Sequence, residues 1–337
     1  MRKVAFTLLA AVLAVATLSA GGSAQSGKVA MLLPGSINDQ SWNAAGYGGL
    51  QKLKGLGMET AYSENVQAAD HIEAMKDYAR RGFSPIIGHS GRFLSAAQRV
   101  GPDFEKTFFL VGSGSGGAKN VISVDLANEQ FAYLVGVLAA RMTKTGKVGA
   151  VAGLEGLPNM IASMGGFRLG VKSVKPDADV RIVYLQSMED PAAAKEATFS
   201  LVSAGADVVA GKLNAGQAGI VQAAKEKGVW TTGRSFGHTA IAPDRVLTNI
   251  YEKWDEVYVA AVHDLKAGKL AGGYHAYGYN TAGPQGTTGG ELLYNESRPY
   301  NVAVPAAVAA EIDGLKKKFA TGDLKVKPTK EDARGGA

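Results

Sequence analysis

The chain has 337 residues, 46% of them hydrophobic, a formal charge of +6 and no cysteine. The missing cysteine excludes disulfides, thiolate metal sites and a cysteine nucleophile, and with them the lipid-bearing cysteine that tethers many exported proteins. The basic residues are scattered, apart from Lys316-Lys317-Lys318 in a helical pattern. Without a basic stripe interleaved with aromatics, nucleic acid is not an expected partner.

The chain opens on Met1-Arg2-Lys3, an apolar run from Val4 to about Ser19, and Gly22-Ser23-Ala24-Gln25. A basic start, a short apolar stretch and a small-x-small site read as a secretory signal peptide, cut after Ala24. The run falls short of the roughly 20 apolar residues of a membrane span. Removing residues 1–24 takes away two basic side chains and leaves a charge of +4. The expectation is an exported, soluble, untethered protein held in a periplasm, long enough for two domains.

From Lys28 short β runs alternate with helical stretches. Strands are predicted over residues 29–33, 58–62, 85–88, 108–111 and 121–124, with helices over 40–55, 67–81 and 92–101 between them. A long apolar helix over 127–144 follows, and the alternation restarts. The second set has strands at 147–151, 180–184, 207–210, 229–232 and 246–250, and helices at 158–174, 190–204, 216–227 and 253–267. This pattern means parallel sheets with helices on both faces. The fold class is therefore α/β: two doubly wound lobes joined by a hinge. We assign residues 27–125 with about 252–280 to the first lobe and 126–251 with about 281–325 to the second. Residues 326–337, charged and Gly-rich at the end, are expected to form a flexible tail.

Open α/β sheets bind ligands beyond the C-terminal ends of their strands, so the segments after strands carry the functional reading. Gly112-Ser113-Gly114-Ser115-Gly116-Gly117 matches G-x-G-x-x-G but leads into a strand rather than a helix, which is the wrong context for a dinucleotide. None of the five histidines pairs at metal-site spacing. No G-x-S-x-G elbow surrounds a serine, and no carboxylate pair stands out for acid–base work. No cofactor or metal is expected. His71 and His263 fall inside helices, whereas His89 and His238 follow strands and are candidates for the cleft. The richest segment is Gly35-Ser36-Ile37-Asn38-Asp39-Gln40-Ser41-Trp42-Asn43, between the first strand and first helix. Asp39 suits a helix N-cap. Trp42 beside Asp and Asn suits either core packing or stacking on a flat polar ring, with carboxylate and amide pairing to its edge.

That segment resembles the D-x-S-[FW]-N signature of the BMP (basic membrane protein), PnrA-like family of transporter binding proteins. Val124-Asp125 followed by Glu129-Gln130-Phe131-Ala132-Tyr133-Leu134-Val135-Gly136-Val137-Leu138-Ala139-Ala140 is similar to its "D…E…YLAGVLAA". Gly166-Phe167-Arg168-Leu169-Gly170 resembles G-F-x-x-G. Asn214-Ala215-Gly216-Gln217-Ala218-Gly219, with Ala223 to Val229, resembles the glycine-led helix of the second lobe. Ala242-Pro243-Asp244 with Val246-Leu247-Thr248-Asn249 is similar to "APD-x-VLTS". The resemblance covers nearly the whole chain after Ala24. It implies a type I periplasmic-binding fold, an ABC-importer permease as partner, and a purine nucleoside or base held between aromatics of the two lobes. Carried over, Asp39 would bond the base, Trp42 stack on it and Asn43 assist. Asp125 would lie at the first interlobe crossing, and Phe167 would supply the second aromatic. Nucleoside-binding members carry an acidic G-V-D where this chain reads Gly233-Arg234-Ser235, and a lysine in the region of Glu252. The departure removes an expected ribose partner. Phe236 and Trp254 could instead shape a more apolar pocket for a bare base or another flat heterocycle.

The expected mechanism is a clamp that closes on its ligand and catalyses nothing, and a monomer is expected. The rival readings are a secreted α/β hydrolase acting on nucleosides and a ligand sensor for a membrane receptor.

Overall fold

A computed structural model of the chain describes residues 27–39 and 42–336. The expected signal peptide, and Gln40 and Ser41 of the tryptophan segment, lie outside the described residues.

The first lobe is built from β1 (Lys28–Leu32), α1 (Trp42–Gly55), β2 (Glu59–Ser63), α2 (His71–Arg80), β3 (Ile86–Gly88), α3 (Leu94–Val100), β4 (Phe109–Gly112) and β5 (Val121–Leu126). The chain then passes to the second lobe through α4 (Asn128–Met142), β6 (Lys147–Gly153), α5 (Pro158–Val174), β7 (Asp179–Leu185) and α6 (Pro191–Ser203). It continues through β8 (Val208–Lys212), α7 (Gln217–Lys227), β9 (Trp230–Gly233), α8 (Phe236–Ile241) and β10 (Val246–Glu252). Helix α9 (Trp254–Lys266) and β11 (Gly273–Tyr277) return to the first lobe, and β12 (Gly290–Leu293) and α10 (Ala306–Thr321) to the second.

Each lobe has a six-stranded sheet, and the two orders correspond: β2-β1-β3-β4-β5-β11 and β7-β6-β8-β9-β10-β12. All pairings are parallel except β10 with β12. Strands β3, β4 and β5 are buried along their whole length, as parallel strands covered by helices on both faces must be. That is why their sequences read as continuous apolar runs. Local chemistry fixes the helix ends. The Asp190 side chain accepts the Ala192 and Ala193 N–H groups at 3.0 Å, with Pro191 in the first turn of α6. Gly228, at φ 70°, closes α7 in the left-handed conformation.

Several elements were not read from sequence. Strands β11 and β12 are short, and α8 is under two turns, so periodicity has little to act on. The tail, expected to fray, is instead tied to the second lobe. Gly336 pairs with Ile182 on the outer edge of β7, Tyr184 donates its hydroxyl to the Ala333 carbonyl at 2.6 Å, and Arg168 donates to the carbonyls of Asp332 and Arg334 at 2.6 and 2.9 Å. A sheet edge with an arginine beside it supplies partners for backbone groups that composition alone would leave to water.

The chain crosses between the lobes near residues 126–128, 252–254 and 278–289. Helix α9 packs on α1 through Leu50, Leu53, Trp254, Val257 and Tyr258. Helix α4 packs on α5 in the second lobe, around Leu134, Leu138, Met164, Phe167 and Val171.

Candidate functional site

In both sheets the strand order reverses beside its second member: between β1 and β3 in the first lobe, and between β6 and β8 in the second. A doubly wound sheet opens a crevice at that switch point, beyond the C-terminal strand ends. The two crevices share one interlobe cavity of about 580 Å³. Its lining follows the strand ends almost one by one. The first lobe contributes Pro34, Asp39, Trp42 and Asn43 after β1, Ser90 and Arg92 after β3, Ser113 after β4, and Asp125 on β5. The second contributes Leu157 after β6, Met188 and Glu189 after β7, Lys212 and Asn214 at the end of β8, Arg234 after β9, and Glu252 closing β10.

The loop after β1 is held by its own side chains. Asp39 accepts the Asn43 N–H at 2.8 Å and the Ala44 N–H at 2.9 Å, which serves the first turn of α1 as an N-cap does. The Asn43 amide donates to Asp39 at 2.8 Å and accepts the Gly35 N–H at 3.1 Å. Loop and helix start are thereby locked together, and Trp42 has a fixed place.

Trp42 is mounted on three sides. Its indole N–H donates to the His89 carbonyl at 2.9 Å. One face stacks on the His89 imidazole at 4.2 Å between centroids, and the Trp254 ring meets it edge-on at 5.0 Å. His89, expected in the cleft, does not line it: the ring is fully buried behind Trp42. Its Nε2 donates to the Trp42 carbonyl at 2.8 Å, so its Nδ1 accepts the Tyr258 hydroxyl at 2.5 Å. Burial holds this histidine down at about 4, neutral at ordinary pH.

Opposite Trp42 stands a group of charges that the sequence did not disclose. Glu252 Oε1 accepts from Lys212 at 3.0 Å and pairs with the Arg234 guanidinium at 2.7 Å, and Oε2 accepts the Trp254 indole N–H at 3.1 Å. The side chains of Lys212, Arg234 and Glu252 are only 12%, 10% and 8% exposed. Burial alone would raise the Glu252 carboxyl, but Arg234 and Lys212 outweigh it and hold the group at about 2. Burial pulls the Lys212 ammonium down. Lys212 also donates to the Asn128 side chain at 2.6 Å. Beside it Asp125 Oδ1 accepts from Ser113 at 3.1 Å, the Leu126 N–H at 2.8 Å and Asn128 at 3.3 Å. Burial nevertheless pushes this carboxyl up to about 7. Lys212 and Glu252 escaped sequence reasoning because each ends a strand whose pattern reads as core; the available signal was a charge set at a strand's C-terminal end.

The remaining expected site residues divide. Trp254 reaches the cleft, with its ring 1% exposed, as a wall behind Trp42. Asn214 lines the cleft and donates to Glu189 at 2.5 Å. Phe167 does not reach the cleft. It is 1% exposed in the second lobe's core, because α5 turns that face onto α4. Phe236 also lies off the main cleft and stacks on Tyr251 at 4.9 Å. His238, with Ser235 2.9 Å from its Nδ1, lines an adjoining chamber of about 330 Å³ that shares Trp42, Arg234, Glu252 and Trp254 with the cleft. Among the described residues no group of side chains is placed to hold a metal ion, and no helix is long and apolar enough to cross a membrane.

Comparison with known proteins gives this geometry a context. The family model described as "ABC transporter substrate-binding protein PnrA-like" matches residues 26–287. The chain is 30% identical over 256 residues to the transcriptional activator protein Med of Bacillus subtilis, spanning 75% of this chain and 80% of that one. It is 27% identical to a purine-binding protein of Brucella abortus, spanning 73% and 71%. It is also 31% identical to an ABC transporter nucleoside-binding protein of Lactococcus lactis, spanning 62% and 64%. A solved solute-binding protein of an ABC transporter system from Conexibacter woesei superposes with a TM-score of 0.71 at 24% identity, covering 90% of this chain and 99% of that one.

Proposed function

The chain belongs to the family of PnrA-like substrate-binding proteins of ABC transporters, and from that premise we propose that it is the exported, ligand-capturing part of an importer. Its ligand is a purine base, a nucleoside or a similar flat heterocycle, taken between the lobes and handed to the permease. The observation that carries the reading is the mounting of Trp42. A large aromatic on the cleft wall, backed by a buried neutral histidine and buttressed by a second indole, is a rigid stacking platform. Polar side chains ring the space in front of it: Asp39, Asn43 and Asp125 from one sheet, and Asn214 from the other. A ring with N–H and carbonyl edges finds both kinds of partner there. The names of the Brucella and Lactococcus relatives support the same ligand class.

Capture needs no reaction, so these groups are aimed at the ground state of the ligand. The test is native mass spectrometry of the purified protein, then analysis of whatever denaturation releases. A released base or nucleoside, returned chemically intact, supports the clamp. An empty protein whose melting temperature no base, nucleoside or related heterocycle raises would remove the ligand assignment, because a ligand that binds the folded state must stabilise it.

A further inference from the structure

We propose that the cleft selects an anionic heterocycle, whose negative oxygen is received by Arg234 and Lys212 while its ring stacks on Trp42. The proposal rests on the reading of the cleft as a ring-binding clamp and names the charge of what it takes.

Arg234 commits NH1 to the Leu213 carbonyl at 2.7 Å and to Asn214 at 3.4 Å, while NH2 forms an ion pair with Glu252 Oε1 at 2.7 Å. A guanidinium carries five N–H groups, so Nε–H and one NH2 hydrogen have no protein acceptor among the described residues. Lys212 spends two of its three hydrogens on Asn128 and Glu252. Both side chains line the cavity. The spare donors of two nearly buried cations therefore meet in one chamber with the stacking face.

Charge points the same way. The two cations share a single ionised carboxylate, and through the same oxygen, Glu252 Oε1. Asp125, the next acid, is held by burial at about 7, so it offsets the second cation only in part at neutral pH. The other cleft carboxylates, Glu189 and Asp39, are bonded to amide groups and not to these two cations. Two nearly buried cations that share one carboxylate oxygen are completed by a further anion placed between them. A planar fork beside an ammonium is the arrangement that receives a carboxylate or an ionised ring oxygen. A ribose hydroxyl would leave that charge unanswered.

Matched probes test this. Binding is measured by calorimetry at pH 6.5, where Asp125 is still largely protonated, for orotate against uracil, and for urate against hypoxanthine, on protein freed of bound ligand by unfolding and refolding. At least one anionic member should bind about tenfold or more tighter than its neutral partner, as a charge-assisted pair requires. In Arg234→Gln that ratio should fall toward one. Arg234→Lys, which keeps the charge and guards against a folding artefact, should retain part of it. If in both pairs the neutral base binds as tightly as its anionic partner, or the ratio survives Arg234→Gln, the anion assignment is wrong and the ring-binding clamp stands. If none of the probes binds, nor any nucleoside, both fall together.

Discussion

Trp42 and Asp125 are the two side chains whose surroundings make the sharpest demands. Trp42 reaches its place through a capped loop, a carbonyl bond and two aromatic contacts. Its loss should act on binding more than on folding, since the indole is only partly buried. Trp42→Ala is expected to weaken ligand binding by about 1–3 kcal/mol, the usual worth of a base stacked on an aromatic. An unchanged affinity by calorimetry would remove the stacking role. Asp125 makes a prediction in pH. Its carboxyl titrates at about 7 in the fold, against roughly 4 in an unfolded chain. The folded state therefore holds this proton more tightly. The contribution is fully present below about 4 and is lost as the pH rises toward 7. His89 and His238, both held by burial near 4, act the other way: their contribution is present above roughly 6.5 and fades as the pH falls. The clean measurement is thus a difference. Asp125→Asn can still accept the Ser113 and Leu126 bonds but carries no charge. Its melting temperature relative to the parent should climb from pH 5 to pH 8, and parallel curves would refute the buried-carboxylate account.

Among the elements, α4 and α5 show how a motif can be legible while its meaning is not. The G-F-x-x-G match invites a ligand role for Phe167, yet its glycines serve helix packing. A Cβ on Gly170 would collide with the Tyr133 carbonyl, and one on Gly136 with the Phe167 carbonyl. The two backbones run so close that only hydrogen fits between them. Gly170→Ala should therefore destabilise the second lobe by about 1–3 kcal/mol, the common cost of overpacking, read from urea unfolding; a variant as stable as the parent would mean the helices can slide apart. The same contrast runs through the chain. Parallel strands announce themselves because burial on both faces leaves continuous apolar runs, such as Phe109-Leu110-Val111. The segment after β1 lies past a strand's C-terminal end, where open α/β sheets bind ligands; that placed Asp39, Trp42 and Asn43 among the candidates, and all three line the cleft. What could not be read is which side chains meet after folding. Lys212 and Glu252 close β8 and β10 and Arg234 follows β9, and their convergence depends on sheet order and on the crossing at Glu252. Phe236 and Phe167 have the right chemistry for the cleft, but helix rotation turns them elsewhere, and a sequence does not display rotation.

For the molecule as a whole, the cleft can serve as a clamp only if its ligand touches both lobes. The lobes are joined at 126–128, 252–254 and 278–289, and on the proposed clamp reading they rotate about those three crossings. Two of the crossings carry the buried polar cluster: Asp125 and Asn128 at the first, Glu252 at the second. On the proposed clamp reading, hinge and binding floor therefore share these residues. A ligand anchored on Trp42 in the first lobe and on Arg234 in the second has more contacts when the lobes approach, and a ligand shifts a conformational equilibrium only by such a difference in affinity. Small-angle scattering should accordingly show a smaller radius of gyration at saturating ligand than without it. At 100 times Kd, thermal unfolding should report about 2.7 kcal/mol of added stability. The two readings separate binding from closure. Trp42→Ala, brought to the same saturation with more ligand, should regain the stability but lose part of the compaction, because one lobe then holds the ligand without its counterpart. Full compaction in that variant would mean that closure is driven from the second lobe and the hinge cluster alone, and that the first lobe's platform tunes affinity without moving the clamp.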